Sequence, residues 1–350
     1  MRRLVIATTA TAMPMGAQVY QEEIAARAQR ALDDVGGSWR VDRMIARSLR
    51  SRLPGTARIP VGWLARAGYR ERRALGRVLY PGAALVHRME LGLPPAAGEV
   101  LTMHDVVAWR FPDEGTPPAS ARVELREAAA VVCVSRHTAA DVAELFGVER
   151  LHVVTLGVDE RFRAAEPLAP AERETLGIRG RYVLHAGGAT RRKNLEGLAG
   201  AWERVHDAVP DVSLVLAGPA HARRDDLFRA LPRALRVGRL PDAQLTGLLA
   251  GAEAVVVPSL YEGFGLPVLE AMAAGVPVVA ARTSSLPEVA GGAATLVDPT
   301  PQAIAEGIRH VLSGAFDREG AIAAGRARAS GFTWERSARE HATVWAAADS

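Results

Sequence analysis

Short apolar runs alternate with longer stretches of helical spacing along the whole chain. In the first half, residues 4–7, 83–87, 100–103, 131–134 and 152–155 read as buried strands, and 18–32, 119–129 and 138–146 carry the helical period between them. The second half repeats the pattern more plainly, with strands expected at 182–186, 213–217, 254–257, 276–280 and 294–297, each followed by a helical stretch. Such alternation predicts parallel sheets covered by helices, an α/β fold of two doubly wound, Rossmann-like domains facing across a cleft. The polar, proline-bearing stretch 163–173 reads as the connection between them. The expected domains are therefore 1–165 and 166–330. A closing helix in 331–350, with Trp334, Ala338, Ala342 and Trp345 at helical spacing, is expected to pack back on the first.

Composition supports two globular cores: 350 residues at 49% apolar and 23% charged exclude a disordered, collagen-like or disulfide-framework chain. The one cysteine, Cys133, lies in an apolar run and reads as a buried thiol in a reducing compartment. Met1-Arg2-Arg3 imitates a secretory leader, but the apolar run after it is too short, and no run approaches the ~18 residues of a membrane span. The expected location is cytoplasmic.

Charge changes the picture locally. Residues 1–100 hold 16 arginines against 8 carboxylates, a balance of +8 that leaves −4 on the remainder of a chain of net charge +4. Eleven of those arginines lie between Arg40 and Arg77, interleaved with Met44, Leu49, Trp63 and Leu64. A basic amphipathic segment of this kind can lie peripherally on an anionic membrane surface; the plainer reading is a solvated arginine face on two core helices. Nucleic acid is not an expected partner, because no reader motif accompanies the basic excess.

The chemistry concentrates at three strand ends. Pro258-Ser-Leu-Tyr-Glu262-Gly263-Phe264-Gly265-Leu266-Pro267 ends a strand and opens a helix, with Glu270 in the first turns, Gly275 suited to the C-terminal cap, and Ser284-Ser285-Leu286-Pro287-Glu288 beyond. The free amides of that helix start suit a phosphate, and Glu262 and Glu270 can bracket it, one for hexose and one for ribose hydroxyls of a sugar nucleotide. His185-Ala-Gly187-Gly188-Ala-Thr-Arg-Arg192-Lys193-Asn194 is the second cluster, where two glycines permit close approach and two cations can stabilise a leaving diphosphate. Lys193 is the one lysine and Asn194 the one asparagine in the chain, which marks a place where guanidinium does not replace a compact ammonium. Thr102-Met103-His104-Asp105 is the third, with His104 placed to hydrogen-bond the reacting sugar and Asp105 to orient it. There is no Asp-x-Asp diphosphate clamp, zinc spacing, Gly-x-Gly-x-x-Gly after the first strand, or phosphate loop with Gly-Lys-Ser/Thr. The expectation is leaving-group stabilisation without metal or cofactor.

Together these residues resemble glycosyltransferase family 4, the retaining enzymes of the GT-B fold. Glu262 to Glu270 resembles its E-x7-E signature, Arg192-Lys193-Asn194 its Arg-Lys-Asn loop, and His104-Asp105 with Phe111-Pro112 its first-domain His-Asp segment. Val134-Ser135 and Gly157-Val158-Asp159 with Phe162 resemble the stretch leading to its linker, although Leu156 stands where many relatives have asparagine. The resemblance implies that Glu262 binds the donor hexose, Glu270 the ribose, and Arg192 and Lys193 the diphosphate. Gly16 would approach the diphosphate from the first domain, Gly187, Gly263, Phe264, Gly265 and Leu266 would line the donor site, and His104 would face the transferred sugar. It implies hexose transfer from GDP-mannose or UDP-glucose to a glycan or lipid-linked acceptor, and the basic patch between Arg40 and Arg77 points to a cell-surface polysaccharide setting. A sugar-nucleotide epimerase of the same architecture and a non-catalytic nucleotide-sugar-binding protein are the alternatives; a glycosidase has no use for the basic loop.

Overall fold

A computed structural model of the chain describes residues 1–12 and 16–348. The chain forms two compact units: unit 1 is Met1–Gly157 with the C-terminal stretch from Thr333, and unit 2 is Val158–Phe332. The division after Gly157 precedes the expected boundary at 165/166 because the following residues are already held by unit 2. Phe162 is buried, Arg163 Nη2 donates to the Ala329 carbonyl at 3.0 Å, and Leu168 N donates to the Gly247 carbonyl at 3.2 Å.

Unit 1 carries β1 (Arg2–Thr9), β2 (Trp39–Ser48), β3 (Ala57–Ile59), β4 (Leu85–Arg88), β5 (Glu99–Met103), β6 (Ala130–Cys133) and β7 (Leu151–Val153), in the order β3-β2-β1-β4-β5-β6-β7. Unit 2 carries β8 (Tyr182–Ala186), β9 (Ser213–Ala217), β10 (Ala234–Gly238), β11 (Ala254–Val257), β12 (Val278–Ala281) and β13 (Thr295–Val297), in the order β10-β9-β8-β11-β12-β13. Every pairing is parallel. The apolar runs read as strands become β1, β4 to β9 and β11 to β13, and those buried on both faces, such as β5 and β11, show no polar alternation. In each unit the strand order reverses once, between β1 and β4 and between β8 and β11, and ligands of doubly wound sheets bind at the carboxyl ends beside such a reversal.

The arginine-rich stretch is not two helices alone; its first part is strand. Residues 39–48 form β2, which runs in register beside β1 from Arg2↔Trp39 to Thr9↔Ala46, with Met44 and Ala46 buried two residues apart. Helices Val61–Leu64 and Tyr69–Leu79 follow β3. Arginines on the exposed positions of β2 hid its period-two signal. β10 escaped for a related reason: it is a half-buried edge strand, and its apolar run is broken by Arg236.

The C-terminal helix Trp334–Ala348 belongs to unit 1, where it packs on helix Gly16–Val35 and β5; Asp349 and Ser350 lie outside the described residues. Gly157 permits its entry, since a side chain there would strike the Trp334 backbone nitrogen. Cys133 is fully buried, and burial pushes its thiol up to about 12.

Candidate functional site

Residues from the ends of β8 and β11 meet in unit 2. After β8, the chain passes Gly187-Gly188 into a 3-10 turn, Arg191–Lys193. Asn194 then adopts a left-handed conformation (φ 54°) and caps helix Leu195–Ala208. Its amide oxygen accepts from Gly197 N at 3.2 Å, and its nitrogen donates to the carbonyls of Pro258 and Pro299, each at 3.0 Å. Few residues combine tolerance of that backbone with both functions, which accounts for the chain's one asparagine at this place. After β11, Gly265 (φ 109°) leads into helix Leu266–Ala273, with Pro267 in its first turn. Gly275 (φ 75°) closes it: the Gly275 and Val276 amides donate to the carbonyls of Met272 and Ala271.

Glu262 is the centre of this arrangement. It is 6% exposed and accepts from Lys193 Nζ at 2.6 Å, Arg192 Nη1 at 2.9 Å and Ser259 Oγ at 2.7 Å. Burial alone would raise its pKa, but Lys193 and Arg192 hold it down to about 2. Three of the ~4 acceptor positions of a carboxylate are thus filled, while an ammonium that has given one of its ~3 protons keeps two to offer. Its backbone is also fixed. Glu262 N donates to Ser284 Oγ at 2.9 Å, and the one proton of Ser285 Oγ is shared by the carbonyls of Glu262 and Phe264, 2.8 and 2.7 Å away. The glutamate therefore holds two cations in place at the head of the loop that leads into helix Leu266–Ala273.

The other expected donor-site residues divide. Gly263 and Gly265 are buried in the turn, Leu266 is half-buried at the helix start, and Phe264 packs its ring against Phe332 with centroids 5.9 Å apart. Glu270 is half-buried one turn further on and makes no hydrogen bond or ion pair among the described residues. Burial pushes its carboxyl up to about 7, with Arg161 opposing and Asp159 and Asp242 adding to the rise. Gly187 donates to the Ala217 carbonyl at 3.0 Å, and its own carbonyl receives Arg224 Nη2.

Sequence reasoning missed several supporting residues. Ser259 and Ser285 are fully buried beneath Glu262, and no local pattern in the sequence marked them. Gly218 (φ 138°) lies against the Gly187 carbonyl, which a side chain at 218 would strike. His185 donates Nδ1–H to the Val256 carbonyl at 3.0 Å, and burial draws its pKa down to about 4.

In unit 1, His104 follows β5 at the carboxyl end of the sheet. It is half-buried; burial lowers its pKa to about 4, against a hydrogen bond to the Met89 carbonyl, and its Nε2 meets no partner among the described residues. Asp105 Oδ1 accepts from Val107 N at 3.1 Å and so shapes the turn that follows. Gly16 is the first residue of helix Gly16–Val35, while residues 13–15 of the loop before it lie outside the described residues. The arginine segment is uneven: Arg72 is buried on Glu124 at 2.6 Å, whereas Arg50, Arg52, Arg66, Arg70 and Arg77 are exposed, as are Leu49, Val61 and Trp63. Among the described residues no group of three or more His, Cys, Asp or Glu could hold a metal ion, and no helix is long and apolar enough to cross a membrane.

Residues 180–314, which contain both strand-end loops of unit 2, match the family Glycosyl transferases group 1. The O-antigen chain mannosyltransferase B of Escherichia coli is 33% identical over 274 residues, 73% of this chain and 70% of that protein. The chain belongs to the group 1 glycosyl transferases. The family 4 resemblance of its motifs is borne out at that level. A second relative of this glycosyltransferase is the GDP-mannose-dependent alpha-(1-6)-phosphatidylinositol dimannoside mannosyltransferase of Mycobacterium tuberculosis, 30% identical over 160 residues, 45% of this chain and 41% of that one. Its fold is GT-B. The crystal structure of Anabaena HepE in complex with UDP and glucose superposes on 98% of this chain and 99% of its own, with a TM-score of 0.69 at 18% identity.

Proposed function

We propose that this glycosyltransferase is a retaining enzyme of the family 4 type. In this reading it moves a hexose from a nucleoside-diphosphate sugar to a hydroxyl of a glycan or lipid-linked acceptor, without a metal. The observation that carries the reading is the ion-paired trio of buried Glu262 with half-buried Arg192 and Lys193 at the β8/β11 reversal. In this reading a nucleotide diphosphate lies over the turn at 263–266, where Lys193 and Arg192 meet its charge. Those cations then stabilise the charge that grows on the departing oxygen, the service a divalent ion renders elsewhere. Glu270, unpaired in the ligand-free protein, accepts the ribose hydroxyls. Glu262 keeps one acceptor position for a hexose hydroxyl. His104 faces the transferred sugar in this reading. With front-face attack the departing phosphate oxygen takes the acceptor's proton, so no covalent nucleophile is required.

Mannose is the preferred hexose, since two relatives are named as mannosyltransferases, one of them GDP-mannose-dependent; UDP-glucose is the other candidate, from the ligands named for HepE. The exposed arginines with Leu49, Val61 and Trp63 support peripheral attachment to an anionic membrane surface, where apolar side chains enter the interface and guanidinium groups meet lipid phosphates.

Calorimetric titration with GDP, UDP, ADP and dTDP tests the core of this reading. Micromolar binding of one nucleotide in chelator-treated protein, lost in Glu270→Ala, is expected; failure of all four to bind would overturn it. Proton NMR of the product from the matching donor reads the anomeric configuration. Turnover of the donor with no acceptor would favour an epimerase instead. Sedimentation with vesicles containing anionic lipid, reduced in Trp63→Ala, is the expected result for the membrane face.

A further inference from the structure

Unit 1 contains a buried chain of polar side chains that the reading above does not use. Trp345 Nε1 lies 3.0 Å from His87 Nδ1, His87 Nε2 is 2.8 Å from Thr102 Oγ1, and Thr102 Oγ1 is 2.9 Å from Tyr20 Oη. Tyr20 Oη is 2.6 Å from His341 Nε2, and His341 Nδ1 is 2.7 Å from the Ser337 carbonyl. All five side chains are fully or almost fully buried.

The ends of this chain fix its direction. An indole nitrogen only donates and a carbonyl oxygen only accepts. At one end, Trp345 donates to His87 Nδ1, so the proton of neutral His87 is on Nε2 and is given to Thr102. At the other, His341 gives its Nδ1 proton to the Ser337 carbonyl, so Nε2 accepts from the Tyr20 hydroxyl. Tyr20 must then accept from Thr102. Five bonds run one way, and the two imidazoles are neutral in opposite tautomers. A proton added to either ring would point at the atom that already donates to it and would break a link.

Tyr20 sits in the middle of the chain and stands perpendicular to the ring of His104, with centroids 4.9 Å apart. It also lies in the helix that begins at Gly16, while Thr102 precedes His104 by two residues. We propose that Tyr20, Thr102 and His341 are positioning residues for His104, joined in a one-way hydrogen-bond chain through which the C-terminal helix fixes the orientation of that imidazole. The other nitrogen of His104 is held by the Met89 carbonyl, so Nε2 presents a lone pair whose direction is set by the face of Tyr20. This inference rests on the role given to His104 above, but its physical part does not.

Long-range nitrogen–proton NMR of the full chain labelled with 15N-histidine decides the physical part with no substrate present. His87 protonated at Nε2 and His341 at Nδ1, both neutral at pH 6, is the expected pattern. The same tautomer at both sites, or titration of either near 6.5, would overturn the chain. For function, Thr102→Val removes the hydroxyl at constant shape and Thr102→Ser restores it. The valine variant and Tyr20→Phe are expected to shift the His104 ring resonances and lower kcat at least tenfold in transfer from GDP-mannose, with KM for the donor within twofold of wild type. The serine variant is expected to recover both. Unchanged His104 resonances and kcat in Tyr20→Phe would reduce the chain to a structural role and sink the proposal. Should the parent protein turn over neither GDP-mannose nor UDP-glucose, the proposed function fails, while the tautomers and the His104 shifts still judge the chain.

Discussion

The two glutamates of the E-x7-E spacing sit in opposite electrostatic states. Glu262 is held ionised by two cations, with its pKa at about 2, whereas Glu270 is unpaired and pushed up to about 7. Sharing of ribose hydroxyls requires the carboxylate form of Glu270, so nucleotide affinity is expected to fall as pH drops through 7, with proton release on binding near neutrality. Its effect on folding runs the other way. The folded-state pKa lies above the ordinary value of 4.5, so between 4.5 and 7 the folded chain binds more protons than the unfolded one and loses stability as pH rises. Glu270→Gln is therefore expected to raise the melting temperature of unit 2 at pH 8 by about 2–4 °C, the shift that ~1 kcal/mol gives in a domain of this size, while weakening nucleotide binding. Differential scanning calorimetry with and without nucleotide at pH 6 and 8 checks both; a variant less stable than the parent would contradict the argument. Glu262→Gln is expected to behave differently. It leaves Lys193 and Arg192 without their counter-charge, at a cost of about 3 kcal/mol, and a bound diphosphate relieves that cost. Nucleotide affinity should hold or improve while kcat falls about a hundredfold, which titration and steady-state kinetics on one preparation separate.

At the scale of elements, the loops after β8 and β11 are useful because they are packed against each other. Leu260 N donates to the Arg192 carbonyl at 2.7 Å, and Asn194 bridges both strand ends. The same closeness recurs on the other side, where Gly218 meets Gly187. Gly218→Ala is expected to force the Gly187 loop away from the sheet and weaken nucleotide binding at least tenfold, although residue 218 is not itself placed at the ligand; an unchanged titration would disprove the coupling. Such partners explain what was legible in the sequence. Glu262, Lys193, Arg192 and the helix caps at Pro267 and Gly275 announced themselves because phosphate chemistry and helix termini demand particular residue types at fixed spacing. Ser259, Ser285 and Gly218 answer to tertiary neighbours, and nothing local distinguishes them from any serine or glycine after a strand. Strands obeyed the same division. Strands apolar on both faces, such as β5 and β11, were plain; β2 and β10 were hidden by the arginines interleaved in them; and His87, far in sequence from His341 and Trp345, carried no sign that it meets them.

For the whole molecule, the buried histidines make the two units answer differently to acid. Unit 1 buries His87, His104 and His341, all with folded-state pKa values below the ordinary 6.5, two of them at about 4; the titratable groups bearing on His87 are His341 and His104. An unfolded chain takes up those protons as pH falls below 6.5 and the folded chain does not, so each contributes stability that is present above 6.5 and lost toward 4. Glu90 and Glu99, whose raised pKa values add stability as pH falls, act in the opposite direction, two carboxyls against three imidazoles. In unit 2 the loss from His185 meets an opposing gain from Glu270 over much of the same range, and Glu262 matters only below 4.5. Unit 1 is therefore expected to lose stability between pH 6.5 and 4.5 while unit 2 stays nearly level. Calorimetry should show two transitions drawing apart as pH is lowered, the less stable one insensitive to nucleotide and the other raised by it. His341→Gln, whose amide oxygen can still accept from Tyr20, should flatten the acid dependence of the first transition alone. Were both transitions to fall together, or the nucleotide-responsive one to fall first, the histidines would not be the source of the acid response.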